Sequence, residues 1–127
     1  MDIAYELAQY LDDAGFGTVG TDILVDQMLS EQNGIYVVHA GGSLNLYDPI
    51  QRATLDIYVK NTKASTAIAT LTNIRNHIHR MYDTNTANGH IYSILVIGDI
   101  ENMDRDLEYA KIYKLTVSLM VRELGIS

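Results

Sequence analysis

The sequence predicts an α+β domain in which one mixed or antiparallel sheet carries two helices mainly on one face, in the order α-β-β-β-α-β-β. Three observations support this fold class. Apolar residues near the start recur at helical spacing, residues 50–60 alternate strictly between apolar and polar, and one apolar stripe continues from 62 to 82. We expect a single domain, 1–127, because two separate cores in 127 residues would each be too small to be stable.

The first element is a helix that Asp2 can cap and that Gly15 and Gly17 end, since glycine adopts the left-handed conformation without steric cost. Its apolar positions follow the helical period: Ile3, Leu7, Tyr10, Leu11 and Ala14. Two short strands are predicted next, at 21–25 and at 35–40. Asn-Gly precedes the second of these and Gly-Gly follows it.

The clearest strand covers 50–60 and the clearest helix covers 62–82. In the strand, one face is apolar and the other polar. The apolar face holds Ala53, Leu55, Ile57 and Val59, and the polar face Arg52, Thr54, Asp56, Tyr58 and Lys60. In the helix, a single stripe persists for about five turns. The stripe consists of Ala64, Ala67, Ile68, Leu71, Ile74, Ile78, Met81 and Tyr82.

The last third of the chain is predicted to form two strands around an acidic loop. The first strand covers 90–97 after an Asn-Gly turn, and the loop covers 98–106. The final strand covers 107–122. One face of it would carry Tyr109, Tyr113, Leu115, Val117, Leu119 and Val121. A helical period also fits part of this segment, but its β-branched residues favour a strand.

Composition excludes several classes of function. The net charge is −7, with nine Lys and Arg scattered among sixteen Asp and Glu. Such a surface repels phosphate backbones, so we expect neither specific nucleic-acid binding nor attachment to an anionic membrane. The absence of cysteine excludes a disulfide framework, a thiolate metal site and a cysteine nucleophile. No run approaches the roughly 18 apolar residues that span a bilayer.

One glycine pattern, Gly15-Phe16-Gly17-Thr18-Val19-Gly20, matches the dinucleotide-binding fingerprint. That fingerprint requires a strand before it and a helix after it, so that the helix N-terminus meets the pyrophosphate. Here the predicted order is the reverse. A helix cap followed by a turn is therefore the favoured interpretation.

The remaining polar residues do not form a predicted catalytic or metal site. His77 and His79 lie two apart on a helix, about 200° around its axis, so they cannot share a metal. His39 and His90 fall near strand ends with no acidic residue at useful spacing. The acidic loop lacks the residues of a calcium loop at the decisive positions. We expect no enzyme activity, no cofactor and no bound metal.

Tyrosine is the unusual feature of the composition, with nine residues against one Phe and no Trp. Tyrosine combines a large contact area with a polar tip and is enriched at protein interfaces. The candidate interface residues are Leu44, Leu46 and Tyr47 in a predicted loop, and Tyr58, Tyr92, Tyr109 and Tyr113 on predicted strands. The alternative is that these side chains pack locally, under the loop and along the sheet edges.

Several segments together resemble the phage minor capsid and tail terminator proteins of long-tailed (siphovirus-type) phages. The likeness begins with Tyr-Glu-Leu-Ala-Gln-Tyr-Leu at 5–11 and Ala-Gly-Phe-Gly-Thr at 14–18. It continues through Thr-Asp-Ile-Leu-Val-Asp-Gln-Met at 21–28, the Gly41-Gly42 pair and the strand 53–60 that leads into an alanine-containing helix. It covers most of the chain but consists of soft patterns of apolar residues, glycine and alanine.

The resemblance implies a structural virion protein that assembles as a hexameric ring on the end of the tail tube. The ring would stop tube growth and join the tail to the head. The implied partners are further copies of the chain, the tail tube protein and a head-completion protein, with DNA passing through the ring. The implied location is the head–tail junction of the virion, and the host cytoplasm during assembly. The alternatives are a head–tail connector or tail-completion protein and, from another class, a small-molecule-binding regulatory or adaptor module.

Overall fold

A computed structural model of the protein describes residues 3–26, 33–41, 50–79, 82–85, 89–102 and 111–123. Its elements are α1 (Ile3–Asp13), β1 (Ile23–Val25), β2 (Gly34–Gly41), β3 (Ile50–Asn61), α2 (Ala64–Ile78), β4 (Tyr82–Asn85), β5 (Gly89–Asn102) and β6 (Lys111–Glu123). The strands form one sheet in the order β1-β2-β3-β6-β5-β4, in which β1 and β2 are parallel and all other neighbours antiparallel. The predicted α+β class and mixed sheet are confirmed, and the structure adds the short edge strand β4.

Both helices pack on the same face of the sheet. The alternation predicted for 50–60 is present, because Leu55, Ile57 and Val59 are buried while the residues between them are more accessible. Strand β6 lies beside β3 with Leu55 opposite Val117. These side chains join one apolar cluster with the buried residues of α1 and α2. Burial of this cluster provides the main driving force for folding, because apolar area removed from water contributes about 25 cal/mol per Å².

Helix α1 ends as its glycines predict. Gly15 has φ 91°, which places it in the left-handed region. The Phe16 N–H donates to Leu11 O at 3.0 Å and the Gly15 N–H to Asp12 O at 2.9 Å. These two bonds form a Schellman motif and satisfy carbonyl groups that the helix end would otherwise leave without partners.

Helix α2 is shorter than the predicted 62–82. It covers Ala64–Ile78, and Tyr82 is the first residue of β4, while Met81 lies outside the described residues. The stripe itself is narrower than predicted, since Ile68 is 41% exposed. The buried positions of α2 are Ala67, Leu71, Ile74 and Ile78.

The predicted acidic loop at 98–106 is partly a strand. β5 continues to Asn102, and a bulge interrupts its pairing with β6 between Ile97 and Glu101. Gly98 lies in this bulge with φ 72°, a conformation that favours glycine. Residues 103–106 lie outside the described residues. The final segment is a strand, as predicted, and is described from Lys111 onward.

Candidate assembly surfaces

The helix-free face is the side of the sheet opposite the two helices. It consists of the side chains that the strands direct away from the main core. Strand register places on it Leu24, Tyr36, Val38, Thr54, Asp56, Tyr58, Lys114, Thr116, Ser118, Leu95 and Ile97. Near β1 this face is closed, because Leu24 and Tyr36 are buried although neither belongs to the main apolar cluster. Towards β5 it becomes more exposed.

Polar contacts cross the middle of the helix-free face. The Thr116 hydroxyl donates to Asp56 Oδ1 at 2.6 Å and links β6 to β3. Lys114 Nζ lies 3.5 Å from Glu101 Oε2 and links β6 to β5. The Lys114 side chain is 19% exposed but that of Glu101 is 61% exposed, so this ion pair contributes little to stability. The centre of the face is therefore occupied by polar contacts between its own strands.

Two exposed apolar side chains lie beside these polar contacts, on the outer side of β6. Leu95 is 66% exposed and Ile97 is 47% exposed, and both lie on β5. Sequence reasoning did not single them out, because the run Ile94-Leu95-Val96-Ile97 is apolar on both faces and such a run is typical of a strand buried on both sides. They are the largest apolar exposure that the sheet offers in the part of the chain the structure describes.

The structure does not gather the described candidate tyrosines into one surface. Tyr58 lies on the helix-free face, half-buried, with Tyr36 and Lys114 as its register neighbours. Tyr113 lies on the opposite face, partly buried against the main cluster. Tyr92 lies at a bulge in β5, with its ring 4.8 Å from that of His90.

The other four candidate interface residues, Leu44, Leu46, Tyr47 and Tyr109, lie outside the described residues. The predicted interface role of all seven residues stays a prediction. The local-packing alternative describes Tyr113 best, because its ring contacts the core from the helix side.

His39 has an acidic partner that sequence spacing did not reveal. Its Nδ1 lies 2.7 Å from Asp26 Oδ2, and its backbone N–H donates to Asp26 Oδ1 at 2.9 Å. The two residues are 13 positions apart, and parallel pairing of β1 with β2 brings them together. Sequence spacing alone therefore did not indicate the carboxylate that lies beside His39. Asp26 adopts φ 51° directly after β1, so its carboxylate closes the end of that strand.

Replacing Asp26 with alanine is expected to lower the free energy of unfolding by about 1 kcal/mol, because the His39 N–H loses its acceptor and a positive φ is costly for alanine. Thermal unfolding of the variant measures this loss. Asp26→Asn is the matched control, since asparagine keeps an acceptor oxygen and tolerates positive φ. Equal losses in the two variants would show that neither the acceptor nor the backbone conformation matters.

His77 contacts the aromatic rings of α1 and of the turn that follows it. Its ring lies 5.0 Å from the ring of Tyr10 and 5.7 Å from that of Phe16. His77 is half-buried at this aromatic contact, whereas His79 is exposed just after α2. The two histidines diverge, as their spacing predicts.

The glycine-rich turn uses its own backbone donors. The N–H groups of Thr18 and Val19 donate to the carboxylates of Asp22 and Asp12, at 3.1 and 3.0 Å, and the Gly20 N–H donates to Ile23 O at 2.8 Å. A pyrophosphate would need these donors and would meet two carboxylates beside them. A helix precedes the turn and a strand follows it, so the predicted helix cap and turn are confirmed.

Within the described ranges, no group of three His, Asp or Glu side chains is placed to hold a metal ion. Neither α1 nor α2, the two helices of the described chain, has the length and apolar character that crossing a bilayer requires.

Comparison with known proteins identifies a shared fold. No protein-family model matches the chain, and no curated protein sequence matches it either. Among solved structures, the chain matches one chain of the virion of a native gene transfer agent (GTA) particle with a TM-score of 0.60. The match covers 94% of this chain and 94% of the other, at 14% sequence identity. The two proteins therefore share an α+β fold along nearly their whole length.

Proposed function

We propose that this protein is a structural subunit of a phage-like virion and acts as a tail terminator. In this role, copies of the chain form a ring, with six subunits expected, on the end of a finished tail tube. The ring stops growth of the tube and provides the surface to which the head joins. Its partners are further copies of itself, the tail tube protein and a head-completion protein.

The observation that carries the proposal is the fold shared with a chain of the GTA virion. The likeness extends over 94% of both chains, so it involves the whole described sheet and both helices and not one short motif. A fold alone does not determine a function, but a virion chain with this fold gives the sequence resemblance to tail terminators an independent support.

The charge of the chain suits a ring through which DNA passes. Each subunit has a net charge of −7, and a ring of such subunits has a strongly negative potential. DNA would be repelled from the wall of the channel and would move through it without binding. The ring would therefore be held together by contacts between subunits and not by nucleic acid.

Electron microscopy of negatively stained, concentrated protein tests the proposal, with light scattering on the same sample. We expect closed rings with a central hole and a mass near six times 14.2 kDa, about 85 kDa. Should the protein assemble only on tubes, added tail tubes are expected to carry extra density at one end. A stable dimer without rings, and without binding to tube ends, would contradict the proposal and favour a regulatory or adaptor module.

The position of the extra density also separates the related virion roles. A terminator is expected to bind the end of a tube that has no head. A head–tail connector is expected to bind purified heads in the absence of a tube. Mixing the protein with each particle separately therefore distinguishes these two roles.

Leu46→Asp is expected to weaken ring formation while the monomer stays folded, because Leu46 belongs to an apolar loop sequence that we predict to contact a neighbouring subunit. Light scattering measures the assembly and circular dichroism the fold. Leu46→Met, which keeps an apolar side chain of similar volume, is the control. Unfolding of the Leu46→Asp monomer would show that the loop belongs to the core.

A further inference from the structure

The outer edge of β5 is only partly covered. β4 pairs with the beginning of β5, up to the pair of Tyr82 with Ser93. From 94 to 101, no strand in the described parts of the chain pairs with β5 on that side, since β4 is the last strand of the sheet. An exposed strand edge of this kind presents backbone donors and acceptors that can pair with another strand.

The side chains along this edge are apolar and held in place. Leu95 and Ile97 project from the helix-free face, exposed by 66% and 47%. Between them, Val96 packs against the main core cluster, as does Ile94. The core therefore holds one face of this edge in place. On the other face, Leu95 and Ile97 have the alternate spacing that a neighbouring strand can contact.

The opposite edge of the sheet, at β1, is only three residues long and ends in an irregular residue. At β1, the Asp26 carboxylate accepts the backbone N–H of His39 and so occupies a donor on the next strand. Asp26 also adopts a positive φ that ends regular strand geometry there. Charged side chains and irregular residues at edges are common means of preventing strand pairing. Residues 94–97 of the β5 edge have neither, and this regular stretch ends at Gly98, which adopts φ 72° at the bulge that continues to Glu101.

The charges beside the β5 edge indicate what kind of strand it can accept. Residues 82–102 contain Asp83, Asp99 and Glu101 and no Lys or Arg. Lys114 of β6 offsets Glu101 only in part, since the Glu101 side chain stays 61% exposed. Two copies of this edge paired in parallel would place Asp99 and Glu101 beside their counterparts, and the net charge of −7 opposes pairing of two copies in either direction, whereas a segment containing Lys or Arg would be attracted.

We propose that the 94–97 edge of β5 binds an extended segment of a different protein by β-strand addition. In this segment every second side chain is apolar, and these apolar side chains contact Leu95 and Ile97. The segment also contains Lys or Arg, which face Asp99 and Glu101. Main-chain hydrogen bonds provide affinity and the alternating side chains provide specificity. This inference goes beyond the proposed function, because it rests on the sheet edge alone and holds whether or not the subunit forms a ring.

Selection from a random-peptide display library on the full-length protein tests the proposal. We expect the selected peptides to share alternating apolar residues with Lys or Arg among or beside them. Synthetic copies of these peptides are then titrated by fluorescence anisotropy against the protein and its variants. The double variant Leu95→Lys, Ile97→Lys is expected to bind them about tenfold more weakly or worse, because it places two cations on the edge.

Ile68→Lys is the matched control. Ile68 is also an exposed apolar residue, at 41%, but it lies on α2, away from the edge. Its affinity for the peptides is expected to equal that of the wild type. Asp99→Lys is expected to weaken binding several-fold for peptides rich in Lys or Arg, while leaving the edge itself unchanged.

The proposal would be overturned if the selected peptides lack the alternating basic pattern, if the edge variant and the wild type bind them equally, or if Ile68→Lys weakens binding as much as the edge variant does. Wild-type self-association that the edge variant abolishes would also overturn it, because the occupant would then be a second copy. Circular dichroism checks that each variant is folded. If the double lysine variant unfolds, Leu95→Thr with Ile97→Thr replaces it, since threonine suits strands and removes most of the apolar contact.

Discussion

Replacing Leu71 with alanine is expected to lower the free energy of unfolding by about 2–5 kcal/mol, a large part of the stability of a domain of this size. Leu71 is fully buried on α2, in the middle of the row of residues that faces the sheet. Truncation removes apolar area from the core and leaves a cavity that close-packed neighbours on β3 and β6 fill only partly. Urea unfolding followed by circular dichroism measures the loss.

Ile68→Ala provides the control within the same helix. Ile68 lies three residues before Leu71 and is 41% exposed, so its truncation removes little buried area. Alanine is also the residue most favourable to helix formation, which offsets part of the loss. We expect a change of less than about 1 kcal/mol. Similar losses for the two variants would contradict the orientation of α2 on the sheet.

These two residues also show what the helical pattern could and could not predict. Buried positions 67, 71, 74 and 78 follow the alternating spacing of three and four that defines a helical stripe, and the sequence displays that spacing directly. The width of the buried stripe cannot be predicted from this spacing. It depends on how closely the sheet approaches each side of the helix, and that approach is set by strands far away in sequence.

At the end of α2, a further helical turn competes with strand pairing, and the local sequence pattern does not decide between them. Met81 and Tyr82 continue the helical spacing, which favoured a helix to 82. In the structure Tyr82 instead pairs with Ser93 at the start of β4. Backbone hydrogen bonds to β5 replace those of a further helical turn, and this long-range pairing has no signal in the residues around 82.

On the strands β5 and β6, too, some features follow from local sequence and others from contacts between residues far apart in sequence. The alternation along the final segment predicted that Tyr113 shares a face with Leu115, and the register confirms this. The exposure of Leu95 follows from another cause. β5 lies near the margin of the sheet only because β6 inserts between it and β3, and the strand order cannot be read from an apolar run. Leu44, Leu46 and Tyr47 lie outside the described residues, so their role stays a prediction.

Replacing Gly34 with alanine is expected to lower the free energy of unfolding by about 1–3 kcal/mol, because β1 and β2 approach too closely there for a side chain. A Cβ at position 34 would lie 2.8 Å from the backbone oxygen of Asp22. The same oxygen accepts the Ile35 N–H at 2.9 Å, so it cannot move away without weakening the parallel pairing of the two strands. Thermal unfolding measures the loss, and hydrogen exchange is expected to show faster exchange at Ile35 and its neighbours.

Asn33→Ala is the matched control, since Asn33 precedes Gly34 immediately and is exposed. We expect it to change stability by no more than about 0.5 kcal/mol. Equal stability of Gly34→Ala and the wild type would mean that β1 does not lie against β2 in solution. The protection of the His39 N–H by Asp26 would then be lost as well, because the same parallel pairing positions Asp26. Hydrogen exchange at His39 therefore reports on the same contact independently of the glycine substitution.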